Sequence, residues 1–387
     1  MNTIKSHNAF LFALISFCTL AGCTLIDSMK HIKGYVSIHE IAHEVYGRYE
    51  TSKEYISFSC SGVSVSFIQL EEELYVWLED TATDPANGNW MNVIINDRIY
   101  TRIQLKQGKH LYLIPTPFNN GQFITLSKAT EAHVGEVKFY GIEMSKGESI
   151  EYAFDRAQVL RIQFIGNSIT CGYGNMASIA APPQGNPLTG FHTVNQNAHM
   201  SYAMQTARKL HAVPMLVCFS GKGIYRNFNS DTIETIPKIY DRIHLQNTNS
   251  PTWDHTQQIP DIIVINLGTN DYYGESRNEP LNDSVFVKTY IEFVERLIGY
   301  YPKAKIICVN GPMLSNDFPE GKKCWTRIQT SIRNVQEHFQ AKGNTKLYTF
   351  FFAPQSAPYG EDYHPSLATH KQMAEELSTF IQTVVNK

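Results

Sequence analysis

The chain has 387 residues, more than one ordinary hydrophobic core fills, so two domains are expected. With 43% hydrophobic and 18% charged residues and no repeat or low-complexity tract, it reads as globular rather than fibrous or disordered. A formal net charge of −3 supplies no basic field for a phosphate backbone, so nucleic acid is not an expected partner.

At the N-terminus Lys5 precedes an apolar run over 9–17, too short to span a bilayer, which leads into Leu20-Ala21-Gly22-Cys23. Residues 1–22 are therefore read as a lipoprotein signal peptide. The tetrapeptide resembles a bacterial lipobox, in which cleavage makes Cys23 the lipidated N-terminus. The expectation is an exported cell-envelope lipoprotein, periplasmic or surface-facing, anchored to a membrane by acyl chains worth roughly 0.8 kcal/mol per buried methylene. A plain secreted protein cut nearby is the alternative. Five further cysteines remain, Cys60, Cys171, Cys218, Cys308 and Cys324; the odd number and irregular spacing predict neither a disulfide framework nor a zinc site. No metal and no cofactor are expected, and Cys171 reads as a small packing residue.

From 34 to 150 the pattern is β-rich, with strand-like segments at 55–60, 63–69, 74–78, 90–95, 111–115, 123–128 and 134–144. Turn signals such as Ser61-Gly62, Ala86-Asn87-Gly88 and Asn119-Asn120-Gly121 separate them, which predicts an antiparallel β-sandwich. From 158 to 387 the character changes. Strands at 159–165, 213–219, 261–267, 305–309 and 346–352 alternate with amphipathic helices at 198–211, 284–300, 325–341 and 366–384. That alternation predicts an α/β domain with a doubly wound, parallel, five-stranded sheet. An insert over 175–197, carrying Pro182-Pro183, lacks periodicity and follows the first strand closely; it either walls a site or decorates the surface.

The first of these strands runs into Gly166-Asn167-Ser168-Ile169-Thr170-Cys171-Gly172, which exposes a hydroxyl at the carboxyl edge where open α/β sheets place their chemistry. Taken singly, Ser168 also suits a helix cap. A serine needs a base to act as a nucleophile, and His364 in Asp362-Tyr363-His364-Pro365 is the candidate. Ser220-Gly221-Lys222-Gly223 follows the second strand and offers backbone N–H groups, and Gly268-Thr269-Asn270-Asp271 follows the third and offers an amide.

Serine, glycine, asparagine and histidine in this order resemble the SGNH hydrolase superfamily, also called GDSL esterases. The stretches 165–174, 220–223, 236–242 and 362–366 are similar to carbohydrate esterase family two. That resemblance implies a flavodoxin-like SGNH domain behind a jelly-roll-like sandwich, and removal of acetyl groups from plant polysaccharides of the xylan, mannan or glucan type. It implies Ser168 as nucleophile and His364 as base. The Ser168 N–H, the Gly221 N–H and the Asn270 side chain would form the oxyanion hole, with Gly223 as second choice for the glycine. Asn167 stands where the superfamily usually has Asp. For the group that orients the histidine, the pattern favours Asp362, with Glu361 as fallback; a backbone carbonyl accepting from Nδ1–H serves the same purpose. Tyr272, Tyr273 and Trp325 are candidate stacking partners for sugar rings, with core packing as the other use of each. Other readings stay open: an esterase or lipase of other specificity, a non-catalytic glycan-binding lipoprotein, and, with less motif support, a glycosidase or zinc deacetylase.

Overall fold

The computed structural model describes residues 33–41, 43–69, 73–96, 98–117, 122–145 and 159–386. The expected signal peptide 1–22, Cys23 and the turn at 119–121 lie outside the described residues.

The first part folds into two antiparallel sheets. Its strands are β1 (Lys33–Ser37), β2 (Glu44–Tyr46), β3 (Glu50–Thr51), β4 (Ile56–Phe58), β5 (Ser64–Gln69), β6 (Leu74–Asp80), β7 (Trp90–Ile95), β8 (Arg98–Gln104), β9 (Gly108–Ile114), β10 (Gln122–Lys128) and β11 (Val137–Ser145). One sheet runs β3-β4-β11-β6-β9, with β1 also paired to β11; the other runs β2-β5-β10-β7-β8. In β6, Leu74, Val76 and Leu78 are buried while Tyr75, Trp77 and Glu79 are half-buried, the period of two expected of a strand with one face on a core. β8 escaped the sequence pattern because Arg98 and Arg102 break the apolar run. It lies at a sheet edge, where polar side chains are tolerated and protect against pairing with other chains.

The second part is a parallel sheet of β12 (Arg161–Gly166), β13 (Val213–Cys218), β14 (Ile262–Asn266), β15 (Lys305–Asn310) and β16 (Leu347–Phe351), in the order β13-β12-β14-β15-β16. Every residue of β14 is buried, as a strand covered on both faces requires. The helices are α1 (Ser168–Cys171), α2 (Tyr202–Lys209), α3 (Ile236–Ile239), α4 (Thr269–Tyr273), α5 (Asp283–Tyr300), α6 (Cys324–Ala341) and α7 (Leu367–Val385). Side chains of α5 and α6 pack on one face of the sheet, and those of α2 and α7 on the other. The order reverses between β12 and β14, the switch point at which such sheets open a crevice for ligands.

The two parts share a core, since one apolar cluster runs from Phe58, Val65 and Phe139 of the sandwich to Ile165, Val217 and Ile265 of the parallel sheet. Polar pins cross the same boundary. Arg48, fully buried, donates to the carbonyls of Tyr240 and, at 2.9 Å, Arg242. Arg102 of β8 donates to the carbonyls of Val194 and Gln196, both at 2.9 Å, and so ties the insert 175–197 to the sandwich.

Candidate active site

β12 ends at Gly166, where an added Cβ would stand 2.0 Å from Thr170 Oγ1; only glycine lets the chain turn so tightly from strand into α1. Asn167 caps that helix by accepting from the Ile169 N–H at 3.1 Å, the service an Asp would perform, and Gly172 closes the helix in the left-handed conformation. Ser168, first residue of α1, thereby presents its hydroxyl at the switch-point crevice. His364 arrives from beyond β16, and its Nε2 lies 2.8 Å from Ser168 Oγ.

The group on the far side of the imidazole is a main-chain oxygen. The Glu361 carbonyl accepts both from His364 Nδ1, at 2.9 Å, and from the His364 backbone N–H, at 2.9 Å. Nδ1 therefore carries the proton, which leaves Nε2 free to accept from the serine. This corrects the expectation for Asp362. Asp362 and Tyr363 have φ of +49° and +59°, and this left-handed bend aims the Glu361 carbonyl at the ring while turning the Asp362 side chain away. The Asp362 carboxylate accepts instead from the Tyr173 hydroxyl at 2.6 Å and the Gly190 N–H at 3.0 Å. The fallback fails too, because the Glu361 carboxylate is occupied by His192 Nδ1 and Asn195 Nδ2, each at 2.7 Å. Tyr173 stacks on the imidazole with ring centres 4.1 Å apart. Burial and the Asp362 charge raise the Tyr173 phenol well above its ordinary value, so it remains a donor. Burial lowers the His364 pKa; the Glu361 carbonyl and the Asp362 and Glu131 charges oppose that shift without reversing it. The ring is thus a neutral base at neutral pH.

The backbone N–H groups of Ser168 and Gly221, which follow the adjacent strands β12 and β13 at the carboxyl edge of the sheet, have no protein acceptor among the described residues. Gly221 has φ of +76°, and an added Cβ would meet Phe228 Cβ in ordinary contact at 3.8 Å. Gly223 does not fit the same purpose: its N–H is directed at Asn227 Oδ1, at 3.3 Å, and an added Cβ would stand 2.5 Å from Asp271 Oδ2. Asp271 receives the N–H groups of Ile224, Tyr225 and Arg226, which makes it the anchor of this loop. Asn270, on α4, donates one amide hydrogen to the Lys222 carbonyl at 2.8 Å, which leaves its second for another acceptor. Ser168, Gly221 and Asn270 thus follow three neighbouring parallel strands at one sheet edge, and their donors are of the type that stabilises a tetrahedral oxyanion.

The aromatic expectations divide. Tyr272 is fully buried, bonded to Asp283 and Ser331, and is a core residue; this corrects its assignment to substrate. Trp325 is half-buried, packs against the core and donates from Nε1 to the Phe352 carbonyl at 3.0 Å. Tyr273, its neighbour's opposite on the short helix, is exposed and stacks on exposed Phe228 with centroids 4.5 Å apart. Phe228 follows the oxyanion turn, its N–H donating to the Gly221 carbonyl at 2.7 Å. No grouping of three or more His, Cys, Asp or Glu with metal-holding geometry occurs among the described residues, and the five cysteines there are free and buried.

A family model described as GDSL-like Lipase/Acylhydrolase matches residues 162–377, more than half of the chain. The chain belongs to this family of carboxylic-ester hydrolases. A second model, Carbohydrate esterase 2 N-terminal, matches residues 45–152, so the sandwich is the N-terminal module of a family two carbohydrate esterase. The esterase is 34% identical over 262 residues to Cellulase/esterase CelE of Acetivibrio thermocellus, covering 67% of this chain and 30% of that protein; it spans under a third of CelE. It is 27% identical over 376 residues to an Acetylxylan esterase / glucomannan deacetylase of Cellvibrio japonicus, covering 95% and 96% of the two chains. Among solved structures, a family two carbohydrate esterase from Clostridium thermocellum in complex with cellohexaose superposes with a TM-score of 0.78 at 28% identity, covering 89% of this chain and 99% of that one.

A main-chain orienting group makes a distinctive prediction. Asp362→Asn keeps an acceptor for Tyr173 and should retain kcat within about tenfold, against the roughly 10,000-fold lost when a triad aspartate is changed. In the parent enzyme kcat/KM should rise with pH along an acid limb centred below 6.5, the ordinary imidazole value, and the variant, having lost a charge that supports the imidazolium, should move that limb lower still. Steady-state rates from about pH 4.5 to about pH 8.5, roughly two units either side of that value, check both; a triad-sized loss contradicts the assignment.

Proposed function

We propose that this protein removes acetyl groups from plant polysaccharides of the xylan, mannan or glucan type through a covalent acetyl-enzyme. The observation that carries the reading is the 2.8 Å contact between Ser168 Oγ and His364 Nε2, with the opposite ring nitrogen already engaged. The names of two relatives, each acetylxylan esterase / glucomannan deacetylase, matched over 95% and 76% of this chain, support the substrate class.

In the first step His364 Nε2 takes the proton of Ser168, whose oxygen bonds to the acetyl carbon. The carbonyl oxygen becomes an oxyanion held by the N–H groups of Ser168 and Gly221 and by Asn270. The intermediate collapses as the bond to the sugar oxygen breaks and the imidazolium returns its proton to that oxygen. Water, deprotonated by the same imidazole, then attacks the acetyl-serine, and acetate leaves as Ser168 regains its proton. One oxyanion donor is worth about 100-fold to 1,000-fold in rate. Stabilisation of the transient imidazolium falls to the Glu361 carbonyl and to the nearby Asp362 and Glu131 charges.

Acetate release from acetylated xylan, mannan and glucan tests the reading directly. Ser168→Ala should abolish it on every substrate while the protein melts at the parental temperature; release near the parental rate from that variant rejects the nucleophile. The exposed Phe228–Tyr273 pair beside Gly221 offers an apolar face for a pyranose ring. Phe228→Ala should therefore raise KM for the polysaccharide by about fivefold to tenfold, a loss of order 1 kcal/mol, and leave p-nitrophenyl acetate unaffected. Equal effects on both substrates contradict a sugar-binding role.

We further propose export as a lipoprotein anchored at Cys23, on the strength of the Leu20-Ala21-Gly22-Cys23 sequence. Cys23→Ser should release the enzyme from the membrane fraction of a bacterial host and end incorporation of labelled palmitate. A parent protein that is unlabelled and recovered free of membranes rejects the anchor.

A further inference from the structure

Glu131 belongs to the sandwich, in the connection between β10 and β11, yet its side chain serves the other half of the molecule. Its carboxylate accepts from the Ser220 N–H at 2.8 Å and the Ser220 hydroxyl at 2.6 Å, and also from Gln196 Nε2 at 3.3 Å. His133 Nδ1 lies 3.2 Å away. The residue is fully buried, and a buried carboxylate costs several kcal/mol unless its charge and lone pairs are met. Lys128, equally buried, donates from Nζ to the main-chain carbonyls of Glu131 and Thr130 at 3.0 Å each and so stands near enough to feel the Glu131 charge. Burial alone would raise the Glu131 pKa, but His133 and the Ser220 bonds hold it down to about 2, so it is an ionised acceptor throughout the working range.

Its partner decides what this arrangement does. The Ser220 C=O and the Gly221 N–H lie in one peptide plane, so with the Ser220 N–H and side chain held by Glu131 a single torsion, ψ of Ser220, separates the grip from the Gly221 N–H. Downstream of Gly221 the loop is held by Asn270, at the Lys222 carbonyl, and by Asp271, at the amides of 224–226. The side-chain anchor on the upstream residue is Glu131. A negative charge behind the turn repels an oxyanion, and Lys128 and His133 offset it; apart from the support its charge lends the imidazolium, what the carboxylate supplies to the turn is geometry.

We infer that Glu131 is a positioning residue for catalysis, a carboxylate contributed by the N-terminal domain that aims the Gly221 N–H at the oxyanion by gripping Ser220. The inference rests on Gly221 being an oxyanion donor in the mechanism above.

Kinetics with p-nitrophenyl acetate on the full chain test it, with rates normalised to folded protein by thermal melting. Glu131→Gln is isosteric and leaves Ser220 one oxygen acceptor in place of a carboxylate; kcat should fall about 10-fold to 100-fold, less than outright loss of a donor, with KM within about threefold. Ser220→Ala should cost kcat severalfold, and the double variant should be no slower than Glu131→Gln alone, because the two residues act as one unit. A folded Glu131→Gln enzyme with kcat within twofold of the parent overturns the inference, as do multiplicative losses in the double variant or a loss carried by KM. Should Glu131→Gln fail to fold, Ser220→Ala decides alone: an unchanged kcat overturns the proposal. Ser168→Ala, assayed alongside, separates the two readings, since activity surviving there rejects the site itself, whereas its loss together with an unaffected Glu131→Gln rejects this inference alone.

Discussion

Two turns from distant parts of the chain are pressed together where the Glu361 N–H meets the Gly174 carbonyl at 3.2 Å, and that contact sets the distance between serine and histidine. The approach leaves no room for side chains. A Cβ on Gly174 would stand 2.5 Å from Glu361 Cβ, and one on Gly360 would stand 2.6 Å from the Gly174 carbonyl. The left-handed residues 362 and 363, each at a cost of order 1–3 kcal/mol, are tolerated because the turn is held from every side. Tyr173 covers the ring, the insert 175–197 takes both carboxylates, and the Pro187 carbonyl receives the Asp362 N–H at 2.6 Å. A segment without helical or strand periodicity is thus the brace of the catalytic turn.

The division into a sandwich and a parallel-sheet domain describes the topology better than the energetics. The apolar core is continuous across the boundary, Arg48 is buried in it, and Arg102 fastens the insert that in turn braces the histidine. Interfaces that carry core packing and desolvated hydrogen bonds behave as parts of one cooperative unit rather than as joints. The sandwich is accordingly a structural member of the active site as well as a neighbour to it.

Much of this was legible in the sequence, for physical reasons. Ser168, Gly221 and Asn270 each follow a strand of strong β-formers, and chain order alone brings such positions to one edge of a parallel sheet. The orienting group was not legible, because Asp362 has the right chemistry and spacing and only the local φ values turn it aside. Tyr272-Tyr273 offers two aromatics in succession, and a single helical turn points one into the core and the other outward. Glu131 carries no local signal at all. Its nearness to Ser220 arises from packing between residues 89 apart, and pattern reading along the chain does not reach that far.

The acceptor for His364 Nδ1 has no side chain of its own to mutate. Any codon at position 361 still supplies a carbonyl, so the component that steers the base is hidden from residue-by-residue comparison and indifferent to acidification. Evolution can therefore tune it only indirectly, through whatever bends the backbone around it, and a census of conserved carboxylates would miscount the parts of this enzyme.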